Sequence, residues 1–267
     1  SSLEFKITGI DLSSPELVLE KMNIDRSVPP VDAATGGYSC ALKLLNSFIK
    51  TKLYDYADKR SNPSFNSTSR LSPYLHFGQI SPVYIAMKVL ESNSPGCDKF
   101  LDELIIRREL GVNFVHYNPD YDNMNCLPEW ALKSLIKHEK DERDVIYSKV
   151  ELEKCMTSDP YWNAAQNELV RTGVMHNYMR MYWGKKIMQW TEGPDDAFEH
   201  MVYLNNKYAL DGRDPNSYAG IAWCLGKHDR PWKERAVFGT VRYMNDKGLL
   251  KKFDMKSYLE RNSFSRV

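Results

Sequence analysis

Cysteine is sparse in this chain. The five present (Cys40, Cys97, Cys126, Cys155, Cys224) are odd in number, scattered, and never arranged as CxxC. That pattern argues against a disulfide framework and against a zinc site, so no metal is expected and a reducing, intracellular setting is. No run of about 18 apolar residues occurs, so no membrane span is expected. The amino terminus, SSLEFKITGID, has neither an opening Met nor a signal-peptide pattern, and the chain is expected to begin part-way through a longer protein. Strand signals are few, and there is no internal repeat or low-complexity segment. Net charge is only +1, which by itself points to no partner.

What is present is aromatic and helical. The 267 residues include six Trp and sixteen Tyr, enough to build stacking surfaces for a planar ligand or for bases. Residues 1–37 carry breakers at Pro15, Pro29, Pro30, Gly36 and Gly37 and read as a linker segment with one short helix after Ser14-Pro15. From Tyr38 to Ala57 apolar residues recur at helical spacing. Ser81-Pro82, Asp159-Pro160 and Gly193-Pro194 are helix starts, each with Pro in the first turn. Asp98 to Val115 predicts one continuous helix with Leu101, Leu104, Ile105 and Leu110 on its apolar side. The fold class is all-α: a linker over 1–37 and a single large helical domain over 38–267.

Several clusters could carry chemistry. Pro160 to Trp190 holds Trp162, Trp183 and Trp190 with His176, Asn177 and Arg180 among them. Such rings beside amides and a guanidinium suit a flat redox cofactor, although large buried rings most often only pack. Thr68, Ser69, Arg70, Leu71 and Ser72 gather hydroxyls, backbone N–H groups and a guanidinium that can cradle a phosphate, or form an ordinary polar turn. Glu103 stands on the apolar stripe, with Arg107 as its expected partner one turn on. Arg180 and Asp211 form a candidate buried pair, and Asn205 is an amide able to donate or accept. From Cys224 to Val267 there are eleven Lys and Arg against five Asp and Glu, so the basic charge gathers at one end, where it can seat a polyanion.

Three blocks, TSRLSPYLHFGQIS, WNAAQNELVRTGVMHNYMRMYWGKKIMQW and YALDGRDPNSYAGIAW, taken together resemble the photolyase/cryptochrome family. LDGRDPNSYAGIAW and KERAVFGTVRYMN resemble the class II cyclobutane pyrimidine dimer DNA photolyases in particular. The resemblance covers about Tyr38 to Arg261. It implies a helical FAD-binding domain that uses light to split pyrimidine dimers flipped out of DNA. Tyr56 and Thr68–Ser72 would hold the FAD phosphates. Arg180 and Asp211, with Gly212 and Arg213 of the same turn, would lie beside the flavin ring. Asn205 would face its central nitrogen, and Asn177 and Met181 its substrate side. Glu103 would hydrogen-bond the dimer. Trp183 and Trp162 would be the proximal and distal members of the electron path, with Trp190 a third. Trp223 would contact the dimer, while Arg230, Trp232 and Arg242 would enter the duplex where the dimer leaves.

The chain departs from the family pattern in three places. The α/β domain that precedes this region in relatives, and that can hold an antenna pigment, is not in the sequence. Arg107 stands where some relatives carry a Trp against the lesion, which predicts one cationic wall. The CLGK segment after Trp223 is one residue shorter than in relatives. The resemblance implies a monomer acting on damaged DNA, in the nucleus of a eukaryote or otherwise in the cytoplasm, with no membrane partner. A cryptochrome-like blue-light signalling flavoprotein without repair activity is the alternative. Glu103, Met181, Trp223 and the basic end favour repair.

Overall fold

The computed structural model describes residues 13–262. The chain divides into two compact units, Ser1–Pro30 and Val31–Val267. The first contains α1 (Pro15–Glu20), with Pro in its first turn as Ser14-Pro15 predicts. Residues 31–37 of the expected linker fall in the second unit. Among the described residues no β-strand forms; an isolated bridge joins Arg235 to Gly239. No described helix is long and apolar enough to cross a membrane.

Two hydrophobic clusters organise the second unit. The first gathers α2 (Tyr38–Thr51), α3 (Tyr56–Lys59), α4 (Ser72–His76), α5 (Pro82–Glu91) and α6 (Cys97–Leu101) around Leu45, Phe48, Ile85 and Phe100. The second is larger. It draws on α7 (Arg108–Tyr117), α8 (Glu129–Lys137), α9 (Lys149–Glu153), α10 (Pro160–Thr172) and α11 (Asn177–Trp190). It continues through α12 (Pro194–Tyr208), α13 (Pro215–Cys224), α14 (Asp246–Lys252) and α15 (Met255–Asn262). Trp162, Trp183 and Tyr182 are its largest fully buried side chains.

Local chemistry sets the helix ends that matter for the site. The Asp159 carboxylate accepts from the N–H groups of Tyr161 and Trp162, both at 3.0 Å, and starts α10. Gly173 ends that helix at φ +69°, a left-handed conformation that glycine adopts without a Cβ penalty. A Cβ there would also lie 2.4 Å from Leu210, so the turn into α11 needs glycine twice over. Gly184 acts by size instead. A Cβ on it would meet Cys224 Sγ at 2.5 Å and Met201 Sδ at 2.9 Å, so its absence lets α11 lie against both α12 and α13.

The helix expected over Asp98–Val115 is broken in phase. Asp102–Arg107 winds as a π turn between α6 and α7. A π turn hydrogen-bonds to the fifth residue back instead of the fourth, so it takes in an extra residue and rotates the stripe that follows. Leu104 stays buried, but Ile105 is 44% exposed and Leu110 47%, while Phe114 turns inward. The same winding undoes the expected Glu103–Arg107 pair. Arg107 Nε instead lies 3.7 Å from Asp102, five residues back. Glu103 is left free to turn toward Arg60 (2.8 Å) and Lys99 (3.0 Å).

Candidate active site

Side chains from both hydrophobic clusters line one cleft of about 510 Å³. That volume lies in the range of roughly 300–1,000 Å³ usual for organic ligands. Three groups of residues meet in it. Tyr56 and the Thr68–Ser72 loop come from the first cluster's side, joined by Glu103 from the π turn. Asn177 and Arg180 project from the first turn of α11. Asp211 comes from the turn between α12 and α13. The sequence reading thus gathers ten of its predicted residues at one surface: these six positions and the loop's remaining four.

The loop is held from beneath. Arg70 sits at φ +59°, a conformation that costs a non-glycine residue about 1–2 kcal/mol. Its guanidinium lies 3.4 Å from Glu168 Oε1. Glu168 is 4% exposed, accepts from the Tyr258 hydroxyl at 2.7 Å, and accepts from the backbone N–H of His176 at 3.3 Å. Burial, and next the Glu168 charge, push the Tyr258 hydroxyl well above its ordinary pKa. One carboxylate on α10 therefore ties the loop, α15 and the start of α11 together. Lys52 adds a second cation, donating to Thr68 O at 3.4 Å, and burial lowers its pKa. Glu168 did not stand out in the sequence. Its signal was its place on the inward stripe of α10 beside Ala164, Ala165 and Leu169, all buried.

His176 caps α11. Its Nδ1 accepts from the N–H of Tyr178 at 3.2 Å, so Nδ1 is unprotonated, and Nε2 donates to Arg60 O at 3.1 Å. Burial drives its pKa down to about 4, and the guanidinium groups of Arg70, Arg60 and Arg261 act in the same direction. The ring is a fixed neutral strut at neutral pH.

The expected Arg180–Asp211 ion pair does not form. Packing of α11 on α12 brings Asn205 to the guanidinium first, and Arg180 Nη1 donates to Asn205 Oδ1. Asn205 is 1% exposed and lies behind Arg180 instead of on the cleft wall. Its Nδ2 donates to Asn206 Oδ1 at 3.3 Å, and that oxygen also accepts from the Arg213 N–H at 2.9 Å. Asp211 keeps Oδ1 buried and without a hydrogen-bond partner. A buried carboxylate oxygen left open at the edge of a cleft needs a donor from a ligand or water. Gly212 and Arg213 shape this turn and do not line the cleft. Gly212 has no room for a Cβ, which would fall 2.9 Å from Ala209 O.

Helices α10 and α11 carry a ladder of indoles. Trp183 and Trp162 are stacked with centroids 6.5 Å apart and planes 4° from parallel. Trp190 meets Trp162 edge-on at 5.7 Å. The spacing of seven residues between Trp183 and Trp190 does not by itself join them; Trp162 of α10 fills the gap. Trp162 Nε1 donates to Trp183 O (3.0 Å) and Trp183 Nε1 to Gln166 Oε1 (2.8 Å), so both rings are fixed in orientation.

The remaining predicted residues lie outside the cleft lining. Arg108, not Arg107, supplies its cationic wall at the π turn. Met181 faces away, toward Cys224 Sγ at 3.9 Å. Trp223 meets the His228 ring edge-on at 5.9 Å. The structure does bring Arg230, Trp232 and Arg242 together: the two guanidinium groups lie 5.6 and 5.0 Å from the Trp232 ring, with Trp232 41% exposed. Among the described residues no group of His, Cys, Asp and Glu is placed to hold a metal ion.

No family model matches the chain. It is 54% identical over 226 residues to a deoxyribodipyrimidine photo-lyase of Methanothermobacter thermautotrophicus, covering 85% of this chain and 50% of that protein. It is 47% identical over 241 residues to the deoxyribodipyrimidine photo-lyase of Arabidopsis thaliana, covering 87% and 49%. The chain thus spans about half the length of the curated relatives it matches. A crystal structure of a bacterial class III photolyase from Agrobacterium tumefaciens shares the fold, with TM-score 0.69 at 23% identity, over 86% of this chain and 45% of that one. With sequence identity of this order across most of its length and the same helical architecture, the chain belongs to the photolyase/cryptochrome family.

Proposed function

We propose that this chain forms the flavin-binding, dimer-splitting part of a class II cyclobutane pyrimidine dimer DNA photolyase, a light-driven carbon–carbon lyase. The observation that carries the reading is the single cleft shared by the Thr68–Ser72 loop, Arg180, Asp211 and Glu103. Its donor set fits FAD. Thr68, Ser69 and Ser72 offer hydroxyls, and Arg70 offers a cation, for a diphosphate. The open Asp211 oxygen offers an acceptor for a ring N–H. Bound in reduced form, FAD supplies the photoexcited electron that opens the cyclobutane ring.

The protein's own residues bind, orient and shield. Arg180, held by the Asn205 amide behind it, sets the polarity on one side of the ring. Glu103, anchored by Arg60 and Lys99, presents a carboxylate to a thymine edge. Arg230, Trp232 and Arg242 offer charge and an exposed indole to phosphates and to the gap left by the flipped dimer. The indole ladder carries electrons toward the cleft.

An absorption spectrum of the purified chain, followed by blue-light repair of a thymine-dimer oligonucleotide, tests the reading. A yellow protein that restores the thymines is the expected result. A colourless protein overturns the flavin assignment. A yellow protein without repair, under reducing conditions and light, points to the signalling alternative.

A further inference from the structure

Several bonds fasten the loop over residues 229–242 to the end of α8, and one histidine stands at their centre. His138 follows the last residue of α8, where the helix's negative end favours a cation. Its Nδ1 lies 2.6 Å from Asp141 Oδ2 and its Nε2 lies 2.9 Å from Glu234 Oε1. Carboxylates only accept, and a neutral imidazole has one N–H to give. Satisfying both partners therefore requires the doubly protonated ring.

Around that ring the loop is fitted closely. Asp141 also accepts from the Val237 N–H at 2.9 Å. Ser134 Oγ accepts from the Thr240 N–H at 2.8 Å. Gly239, at φ +51°, passes so near that a Cβ would lie 2.9 Å from His138 Cδ2 and 2.2 Å from Ser134 Oγ. The geometry points to His138 as a positioning residue: protonated, it clamps the Arg230–Trp232–Arg242 group to α8. The assignment rests on the reading of that group as the DNA contact.

The charged groups facing the clamp are Asp141, Glu234, Lys137 and Arg143. Lys137 shares Glu234 at 2.7 Å and Arg143 lies near Asp141, so two cations stand against two carboxylates. Glu234 first, and Asp141 next, raise the His138 pKa above its ordinary value. A raised histidine pKa means the contact is complete below the unfolded value and is lost as pH rises through the folded one.

Two measurements separate the clamp from the DNA reading. The first is hydrogen exchange at the Val237 and Thr240 amides, from about pH 6 to about 9, where histidine charge changes. After correction for intrinsic rates, protection should fall with pH in the parent chain and be low and pH-independent in His138→Gln. The second is affinity for a duplex holding one thymine dimer, expected about tenfold weaker in His138→Gln, the worth of one charge-assisted hydrogen bond. Unchanged exchange in the variant overturns the clamp. Altered exchange with unchanged affinity keeps the clamp and overturns the loop's role in binding DNA. Should His138→Gln fail to fold, Glu234→Gln, on the exposed side of the clamp, must show the same loss of pH dependence or the inference fails.

Discussion

Trp162 and Trp183 lie 6.5 Å apart with their planes only 4° from parallel, although they belong to different helices. Each indole N–H is spent on a fixed acceptor, so neither ring can rotate without losing a buried hydrogen bond. Plain core packing has no need of parallel indoles pinned at both ends. A path for electrons gains from it, because overlap between neighbouring rings is then constant.

In the proposed path Trp162 is the middle member, because its ring meets both Trp183 and Trp190, so Trp162→Phe should interrupt it on both sides. Light-driven reduction of bound flavin should collapse while flavin content is kept. The variant should also lose about 2 kcal/mol of stability, since Trp162 is wholly buried and its bond to Trp183 O disappears. Urea unfolding checks the second effect and stopped illumination with absorption readout the first. Photoreduction at the parent rate would sink the ladder.

Glu103→Gln keeps the shape of the side chain and removes the charge that holds Arg60 and Lys99. Repair yield should fall about tenfold, as expected for loss of a charge-assisted contact, with FAD still bound. Release of FAD from the variant would make Glu103 a structural residue of the cleft wall and nothing more.

These residues were not equally legible in the sequence. The starts of α5, α10 and α12 could be read because capping is local: Ser81, Asp159 and Gly193 each precede a Pro, and the first two accept from the helix they begin. The Thr68–Ser72 loop and Arg180 could be brought to one site through the family blocks, and Glu103 through the wider resemblance. The π turn could not be read. LDELIIRREL satisfies an ordinary helical stripe, and only packing of Leu104 and Phe114 into different clusters reveals the extra residue. Arg180's choice of Asn205 over Asp211 likewise depends on how α11 meets α12. Glu168 and Tyr258 meet across 90 residues of chain, and no local pattern announces that.

His176 predicts an acid limit. Its pKa is lowered from 6.5 to about 4, chiefly by burial, so the unfolded chain takes up a proton first as pH falls. Its contribution to stability is complete above about pH 6.5 and is lost progressively down through about pH 4, at most roughly 3 kcal/mol. His176→Asn keeps a cap for Tyr178 and removes the titration. The urea midpoint of the variant should therefore vary less across this window than that of the parent chain. An unchanged slope would mean that another group governs the acid transition.

The last expectation concerns how DNA is gripped. Arg242 and Arg230 flank Trp232 in a part of the chain with a strong basic excess. If each guanidinium neutralises one phosphate, affinity for dimer-containing DNA falls steeply with salt, and Arg242→Ala lowers the slope of log affinity against log salt by about one. Arg242 also stacks on Trp232, so its loss frees that ring; Arg242→Lys separates the two effects, keeping the charge while weakening the stacked geometry. Titrations of both variants over a range of salt concentrations decide the matter. An alanine variant with the parent slope would place the phosphate grip elsewhere on the chain, while a lysine variant that keeps the slope but binds more weakly would assign the stacked guanidinium to holding Trp232 in place.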